Sequence, residues 1–442
     1  MYFPWPYSMN SHPIHKLMST NRRTFIAGAA AFAGMPTIVP SSALGKDGHV
    51  APSNRIVVGG IGLGPRGRKV VDAFYGEKDC QFVAICDAQA ERAEIIRRMT
   101  NRTYKNEDCK TYREMEDILA REDIDAVLIA TGDRWHTPAS VKAVRAGKDV
   151  YCEKPCTMTI DESRELDEEV RKHKRIFQAG TQRRNVDNFA FASRLAQQGK
   201  LGKITSVHAG SIEPFMGHDP LPGEPLPDPE VIDWDRWLGP SLDMPYNKKY
   251  CQGRWRGHNN LSSGWKVLEW GSHTIDICQW AAGKDDTSPV EFEVDGSTIY
   301  GKYADGTRLV VRIAGFKGEG DWQKGLSSCP VRLEGEDGWV ETGDSGLVVS
   351  SSESHWGNKA PEPMSGIVPT KHVRNFLDCV KSREAPACNS VIARNGHVTA
   401  HAASIAWRLG RKLTFDPKTE RFVGDDEANA LCKRERRKAY DI

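Results

Sequence analysis

Three glycines with a fixed spacing are the first feature of the sequence that points to chemistry. Gly62, Gly64 and Gly67 follow the apolar, β-branched run RIVVGG and open a segment with helical periodicity. In such a strand–turn–helix context the first glycine makes the tight turn, the second lets the backbone approach a pyrophosphate, and the third lets the helix pack on the strand. The helix N-terminus then faces the phosphates. The pattern, which includes Arg66, therefore predicts a dinucleotide-binding turn.

An acidic residue follows at the distance that such a turn requires. Asp87 closes the next apolar run, QFVAICD, roughly 20 residues after the glycines. A carboxylate there would accept hydrogen bonds from the ribose hydroxyls and repel a 2′-phosphate, which predicts NAD as the cofactor. Arg92 lies shortly after Asp87, so NADP is the alternative cofactor.

Two further polar segments follow predicted strands. TGDRWH (131–136) comes after the apolar run at 124–130, and EKP (153–155) ends the run at 149–153. Ligands of open α/β sheets bind at the carboxyl ends of the strands. Both segments are therefore expected to border the dinucleotide.

The elements that position these segments alternate between strands and helices up to about residue 185. Strands are predicted at 55–60, 81–87, 124–130, 149–153 and 176–179, with helices at 68–74, 90–99, 111–120, 138–146 and 161–173. This alternation predicts a parallel, doubly wound sheet.

The pattern changes after residue 185. A helix is predicted at 189–197, a strand at 204–212, a Pro- and Gly-rich loop at 214–230, short strands from 290 to 350, and helices at 372–382 and 394–410. The predicted fold class is α/β, with an N-terminal Rossmann dinucleotide-binding domain at 46–184 and an α+β domain with a mainly antiparallel sheet at 185–425. An N-terminal extension at 1–45 and a basic tail at 426–442 flank them.

These motifs, with others downstream, resemble one known family. From about residue 54 to residue 425 the sequence is similar to the glucose–fructose oxidoreductase / inositol dehydrogenase (Gfo/Idh/MocA) family. The resemblance rests on the glycine turn, TGDRWH, EKP, GTQR (180–183), DWDRWLGP (233–240) and EWGSH (269–273). It implies an NAD(P)-dependent enzyme that transfers a hydride from a secondary hydroxyl of a sugar or cyclitol. It also implies a homo-oligomer, either a dimer or a tetramer.

The resemblance implies roles for individual residues as well. Lys154 would lie beside the nicotinamide and the reacting carbon, orient the substrate hydroxyl and assist its proton transfer. His273 is the matching candidate for the general base, with Glu269 one helical turn earlier on the same face. The family usually has Asp at position 269, so the longer side chain leaves both a catalytic and a structural role open. Asp276 is expected to be a capping or packing partner.

Other residues are implied to line the binding sites. Besides the glycine turn, Arg66, Asp87 and Arg92, the expected cofactor neighbours are Thr131, Trp135, His136, Glu153, Lys154 and Gln182. The expected substrate neighbours are Lys154, Arg183, Arg256, His258 and His273. For Arg256 and His258 ordinary packing of the loop before the helix is the alternative. The family usually has Pro where this chain has Gly132.

Two activities fit the same residues. One is a dehydrogenase. The other is an NAD-dependent glycoside hydrolase or lyase that oxidises its sugar transiently, as α-N-acetylgalactosaminidases of the superfamily do. A non-catalytic dinucleotide-binding scaffold is disfavoured because Lys154 and His273 are retained.

Length, charge and cysteine content bear on the number of domains, the partners and the presence of a metal site. The chain of 442 residues is too long for one ordinary core, which predicts two domains. Its formal net charge of +2 and its scattered basic residues argue against a nucleic-acid partner. The basic run at 433–438 is expected to be solvated. The eleven cysteines contain no CxxC, and Cys152 and Cys156 have no further ligands at suitable spacing, so no metal is expected.

The N-terminus predicts export. Arg22-Arg23 precede a short apolar run at 25–39 and small residues at 41–43, an order that resembles a twin-arginine signal. The run is too short and too rich in Gly and Ala to span a membrane, so no membrane anchor is expected. A periplasmic or otherwise exported enzyme meets little free NAD, which predicts a tightly bound cofactor.

Overall fold

A computed structural model describes residues 50–51, 54–210, 219–263, 265–313, 325–350, 361–362 and 369–442. The predicted export signal at 1–45 lies outside the described residues. The same holds for residues 211–212 of the strand predicted at 204–212 and for residues 214–218 of the predicted loop. Residues from 54 onward belong to one structural unit.

The first sheet has six parallel strands in the order β3-β2-β1-β4-β5-β6. They are β1 (Ile56–Ile61), β2 (Cys80–Cys86), β3 (Lys110–Tyr112), β4 (Ala126–Ile129), β5 (Asp149–Cys152) and β6 (Phe177–Ala179). The helices that follow them are α1 (Pro65–Tyr75), α2 (Ala90–Tyr104), α3 (Met115–Leu119), α4 (Asp133–Arg145) and α5 (Ile160–His173). Strands of such a sheet are buried on both faces and therefore form continuous apolar runs. The predicted doubly wound sheet is confirmed.

One predicted element of this sheet is wrong. The sequence predicted a single helix at 111–120, whereas β3 occupies the beginning of that range and α3 begins only at Met115. Thr111 pairs with Ile85 of β2. The pairing with β2, which local periodicity does not report, overrides the helical pattern.

The second sheet has nine strands in the order β13-β12-β11-β7-β10-β9-β8-β14-β15. They are β7 (Ile204–Gly210), β8 (Glu291–Asp295), β9 (Thr298–Lys302), β10 (Arg308–Arg312), β11 (Val331–Gly335), β12 (Gly338–Gly343), β13 (Gly346–Val349), β14 (Leu413–Asp416) and β15 (Arg421–Phe422). Within the described ranges the neighbours are antiparallel except β7 and β10, which run parallel. The mainly antiparallel sheet is therefore confirmed.

Six further α-helices follow β6 in the described ranges. They are α6 (Asp187–Gln197), α7 (Trp234–Leu238), α8 (Trp265–Ala281), α9 (Thr370–Ser382), α10 (Ser390–Leu409) and α11 (Asp426–Ala430). The sequence placed α9 in the second domain, but its Val373 and Phe376 pack in the core of the parallel sheet with Phe74 and Phe82. Gly410 ends α10 with φ +63° and donates to the carbonyl of Ala406, as predicted.

The basic run at 433–438 is not simply solvated, which corrects the expectation for the tail. Arg434 binds Glu162 at 2.6 Å, and Arg437 binds Asp235 at 2.6 Å. The two arginine side chains are only 14% and 15% exposed. These ion pairs could not be predicted from charge composition, because the acidic partners come from distant parts of the chain.

Three further findings bear on the expectations from composition. All eleven cysteines are buried free thiols. No helix in the described part of the chain has the length and apolar character needed to cross a membrane. Over the same residues, no group of three His, Cys, Asp or Glu side chains is placed to hold a metal ion.

Candidate active site and cofactor cavity

The glycine turn has the geometry that its sequence predicts. Gly62 has a φ of +68°, a conformation that only glycine adopts without strain. A Cβ at this position would lie 2.8 Å from Cα of Thr131. A Cβ at Gly67 would lie 3.2 Å from that of Ala130, so the helix packs closely on the sheet. Because α1 begins at Pro65, its first backbone N–H groups face the turn.

Asp87 lies just after β2, in the wall of the same cavity as the glycine turn. It accepts a hydrogen bond from the N–H of Gln89 at 2.9 Å. Burial raises the pKa of Asp87 to about 6, although this N–H and the charge of Arg92 act in the opposite direction. Arg92 donates from Nη2 to the carbonyl of Cys251 at 2.6 Å.

We expect the affinity for NAD to fall as the pH drops through about 6. The ionised Asp87 accepts hydrogen bonds from the ribose hydroxyls, whereas the protonated carboxyl has lost part of that acceptor capacity. Since the pKa of Asp87 is about 6, binding should be strongest above that pH. Calorimetric titrations above and below pH 6 would measure the change. In Asp87→Asn the affinity should be low and independent of pH over this range, and a native affinity equal at both pH values would contradict the prediction.

A cavity of about 460 Å³ extends from the glycine turn and Asp87 to the second domain, a volume within the usual range for cofactor sites. Its lining on the Rossmann side includes Gly62, Gly64, Arg66, Asp87, Arg92, Thr131 and Trp135. Its opposite wall includes residues of the segment 251–256 and Tyr440. The Tyr440 ring meets the Trp135 ring edge-on, with centroids 5.3 Å apart. The glycine cradle, the carboxylate and the arginines together fit a dinucleotide.

Two of the predicted cofactor residues lie behind this wall. Glu153 and Gln182 are 3% and 1% exposed. Glu153 Oε1 accepts from Nε of Arg66 at 3.1 Å and from Nε2 of Gln182 at 2.8 Å. In this arrangement Glu153 and Gln182 orient Arg66, and Arg66 lines the cavity.

His136, also predicted beside the cofactor, supports the loop that carries Lys154. It is buried, and its Nδ1 lies 2.5 Å from the carbonyl oxygen of Pro155. Trp135, the preceding residue, faces the cavity and donates from Nε1 to the carbonyl of Arg236 at 2.8 Å.

Lys154 meets α8, so the structure brings together the two segments that the resemblance connects. Lys154 Nζ donates to the backbone carbonyl of Glu269 at 2.7 Å and lies 4.0 Å from Glu269 Oε1. Arg256 Nε lies 3.4 Å from the same oxygen. The side chains of Lys154 and Glu269 are 15% and 25% exposed, so a ligand can reach them. Glu269 therefore balances two cations at the site.

His273 is buried on the same helix and is bound from one side. Its Nε2 lies 3.1 Å from Nη1 of Arg183. Because an arginine N–H can only donate, Nε2 accepts and the ring proton sits on Nδ1, which has no hydrogen-bond partner among the described residues. Burial, followed by the charges of Arg183 and Lys154, lowers the pKa of His273 well below its usual range. The ring is thus neutral and presents an N–H donor.

Arg183 is held by a residue that the sequence analysis missed. Asp344, in the turn between β12 and β13, binds Nε and Nη2 of Arg183 at 3.2 and 2.6 Å. Ser328 donates a hydrogen bond to the same carboxylate. Arg183 was predicted to contact substrate, and in this structure its guanidinium binds Asp344 and His273. An Asp in a hairpin turn is common, so no sequence signal marks Asp344.

Two predicted candidates lie outside this cluster. Asp276 forms a buried ion pair with Arg184 at 2.9 Å, which agrees with a packing role. His258 packs against the ring of Tyr250, with centroids 5.8 Å apart, and lies beside the backbone N–H of Asn260. For His258 these contacts favour the loop-packing alternative.

Comparisons with family models cover both domains. The model described as "Oxidoreductase family, NAD-binding Rossmann fold" (Gfo/Idh/MocA) matches residues 55–181. The model described as "Oxidoreductase family, C-terminal alpha/beta domain" of the same group matches residues 213–442. The two matches together include the glycine turn, EKP and the helix that carries His273.

Curated relatives match over a shorter stretch. A "Glycosyl hydrolase family 109 protein" of Shewanella baltica (strain OS155) is 34% identical in an alignment of 173 residues that covers 34% of this chain and 36% of that protein. An "Alpha-N-acetylgalactosaminidase" of Shewanella oneidensis is 32% identical in an alignment of 166 residues that covers 35% of each chain. The chain therefore aligns with only about a third of the length of these relatives.

Solved structures match over most of the chain. The myo-inositol 2-dehydrogenase from Lactobacillus plantarum has a TM-score of 0.59 at 20% identity, covering 82% of this chain and 100% of that one. The WlbA dehydrogenase from Bordetella pertussis, in complex with NADH and UDP-GlcNAcA, has a TM-score of 0.61 at 15% identity, covering 82% and 98%. At these identities the likeness concerns the fold.

Proposed function

Because the chain belongs to the Gfo/Idh/MocA oxidoreductase family and is an NAD(P)-dependent oxidoreductase with an NAD-binding Rossmann domain, we propose that it acts on a secondary hydroxyl of a sugar or cyclitol. The observation that carries the proposal is the partly exposed cluster of Lys154, Glu269 and Arg256. A dehydrogenase of similar fold is named for myo-inositol, and another was solved with UDP-GlcNAcA. Both names support the proposed substrate class.

Each residue of the cluster can have a separate role in the oxidation of a hydroxyl group. Bound NAD would supply the acceptor for the hydride. Lys154 would hold the reacting hydroxyl and pass its proton towards Glu269, whose carboxylate lies 4.0 Å away. Arg256 would keep that carboxylate in place. His273 would donate from Nδ1 to an oxygen of the substrate.

A second candidate is an NAD-dependent glycoside hydrolase or lyase. It is favoured by the relatives named glycosyl hydrolase family 109 protein and alpha-N-acetylgalactosaminidase. Such an enzyme would oxidise the sugar and break the glycosidic bond by elimination. A hydrolase would then add water to the resulting double bond before reducing the sugar again. The same Lys154 and His273 would serve both activities.

One experiment separates the two activities. We expect the purified mature protein to contain nearly stoichiometric NAD(H), because an exported enzyme would meet little free NAD. Retention of the cofactor for hours implies a Kd of roughly nanomolar or below at ordinary on-rates. Denaturation releases the dinucleotide for quantification. The native protein is then incubated with sugars, cyclitols and N-acetylhexosaminides without added NAD. Free sugar without net reduction of the cofactor indicates hydrolysis, whereas a ketone product indicates a dehydrogenase. An empty protein that works only with added NAD and releases NADH would contradict retention of the cofactor.

We also propose export by the twin-arginine route, on the basis of Arg22-Arg23 and the residues that follow them. Replacing both arginines by lysine should leave the protein in the cytoplasm, as measured by fractionation. Unchanged export of that double variant would contradict the proposal. Assembly as a dimer or tetramer stays a prediction for light scattering to test.

A further inference from the structure

Arg134 is a buried cation in the wall of the cofactor cavity. It lies in the first turn of α4 and is 2% exposed. Its Nε donates to the carbonyl of Trp237 at 2.8 Å, its Nη2 contacts the same oxygen, and its guanidinium lies 3.8 Å above the Trp237 ring. Its Nη1 has no hydrogen-bond partner anywhere in the described ranges. The nearby Asp133 is already bound at 2.9 Å by the N–H and hydroxyl of Ser263.

A guanidinium in this position is costly unless a ligand joins it. Burying a charge without an ion-pair partner in contact costs several kcal/mol by order of magnitude. The carbonyl, the indole face and the charge of the nearby Asp133 return only part of that. Burial lowers the pKa of Arg134 to about 9, so the group is still charged near neutrality. The lining of the cavity therefore favours an anionic ligand beside Arg134.

Gly132 provides the space for this side chain. Its φ of −77° and ψ of 154° are open to any residue, so the backbone does not require glycine. A Cβ at Gly132 would nevertheless overlap Nη1 of Arg134 and lie 3.1 Å from its Cζ. A side chain at position 132 would therefore displace the guanidinium from this position. The two residues line the same cavity as Gly62, Gly64 and Arg66.

We propose that Arg134 binds the pyrophosphate of the dinucleotide and donates from Nη1 to a phosphate oxygen. A guanidinium matches the geometry and charge of a phosphate. The N-terminus of α4, which begins beside Gly132, adds the N–H groups of a first helical turn and the positive end of a helix dipole. The inference requires only that the chain binds NAD, so the proposed sugar chemistry stands or fails separately.

The test measures binding of NAD, ADP-ribose and adenosine to cofactor-stripped protein by calorimetry. Arg134→Met keeps the apolar stem and removes the charge. It should weaken NAD and ADP-ribose by the same factor, about ten- to a hundredfold, the usual worth of a hydrogen bond to a charged group. Adenosine, which carries no phosphate, should bind as before. Arg145→Met, at the exposed end of the same helix, is the matched control and should bind all three ligands normally.

A second variant keeps the test decisive if Arg134→Met folds poorly. Gly132→Ala leaves the arginine in the chain but displaces its guanidinium, and it should reproduce the loss for NAD and ADP-ribose. The double variant should bind no more weakly than Arg134→Met alone, because both changes act on one contact. Unchanged binding of ADP-ribose to Gly132→Ala and Arg134→Met would overturn the proposal. A loss confined to NAD would also overturn it, since the nicotinamide half would then be the partner.

Discussion

Lys154→Ala is expected to lower kcat by at least about a hundredfold, the usual contribution of a positioned acid–base group. The lysine connects the EKP loop to α8, since its Nζ donates to the Glu269 carbonyl at 2.7 Å. Stability should change little, because this hydrogen bond is at the edge of a partly exposed cluster. Steady-state turnover and thermal unfolding would be measured on the same preparations.

Two further variants sharpen that measurement. Lys172→Ala, whose side chain is 65% exposed on α5, is the matched control and should retain full activity. Lys154→Arg keeps the positive charge but cannot give up a proton near neutral pH. Activity in Lys154→Arg would assign an electrostatic role to the lysine, and near-normal turnover of Lys154→Ala would remove it from the mechanism.

His273→Ala is expected to lower kcat by about a hundredfold as well, with His273→Asn retaining part of the activity. Asparagine keeps a side-chain N–H close to the position of Nδ1, the atom that carries the proton when Arg183 occupies Nε2. The pKa of His273 lies well below its usual range, so the ring stays neutral as the pH falls through that range. The wild-type pH–rate profile should then show no step from this residue.

If His273 is the general base, as predicted from the sequence, the variants and the pH–rate profile should behave differently. A base needs the Nε2 lone pair, which in this structure faces Nη1 of Arg183 at 3.1 Å. If His273→Asn is as inactive as His273→Ala, and if the wild-type profile shows an acid limb that both variants lack, the base role is supported instead. Unfolding curves of both variants control for the loss of a buried side chain.

The parts of the fold that follow from local pattern were predictable. The run IVVGGI is apolar throughout because β1 is buried on both faces. The glycine turn was predictable for the same reason, since its backbone requirements lie within a few residues. Edge strand β3 was missed, because three residues paired to β2 leave no periodicity of their own.

The parts of the site that depend on distant contacts could not be predicted. Arg183 and Asp344 are 161 residues apart, and their pairing holds Arg183, a predicted substrate ligand, beside His273. Arg134 belongs to the TGDRWH segment, but its burial could not be predicted because it depends on Trp237, 103 residues away. The meeting of Lys154 with α8 was expected only because of the family resemblance.

The cofactor cavity also sets an order of events during synthesis. Its lining runs from Ile61 to Tyr440, and Arg434 and Arg437 fasten the segment that ends in Tyr440. The core of the parallel sheet includes Val373 and Phe376 of α9, and the cavity stays open on one side until residue 440 has left the exit tunnel. Binding of NAD would therefore be weak until the segment that ends in Tyr440 has packed against the cavity.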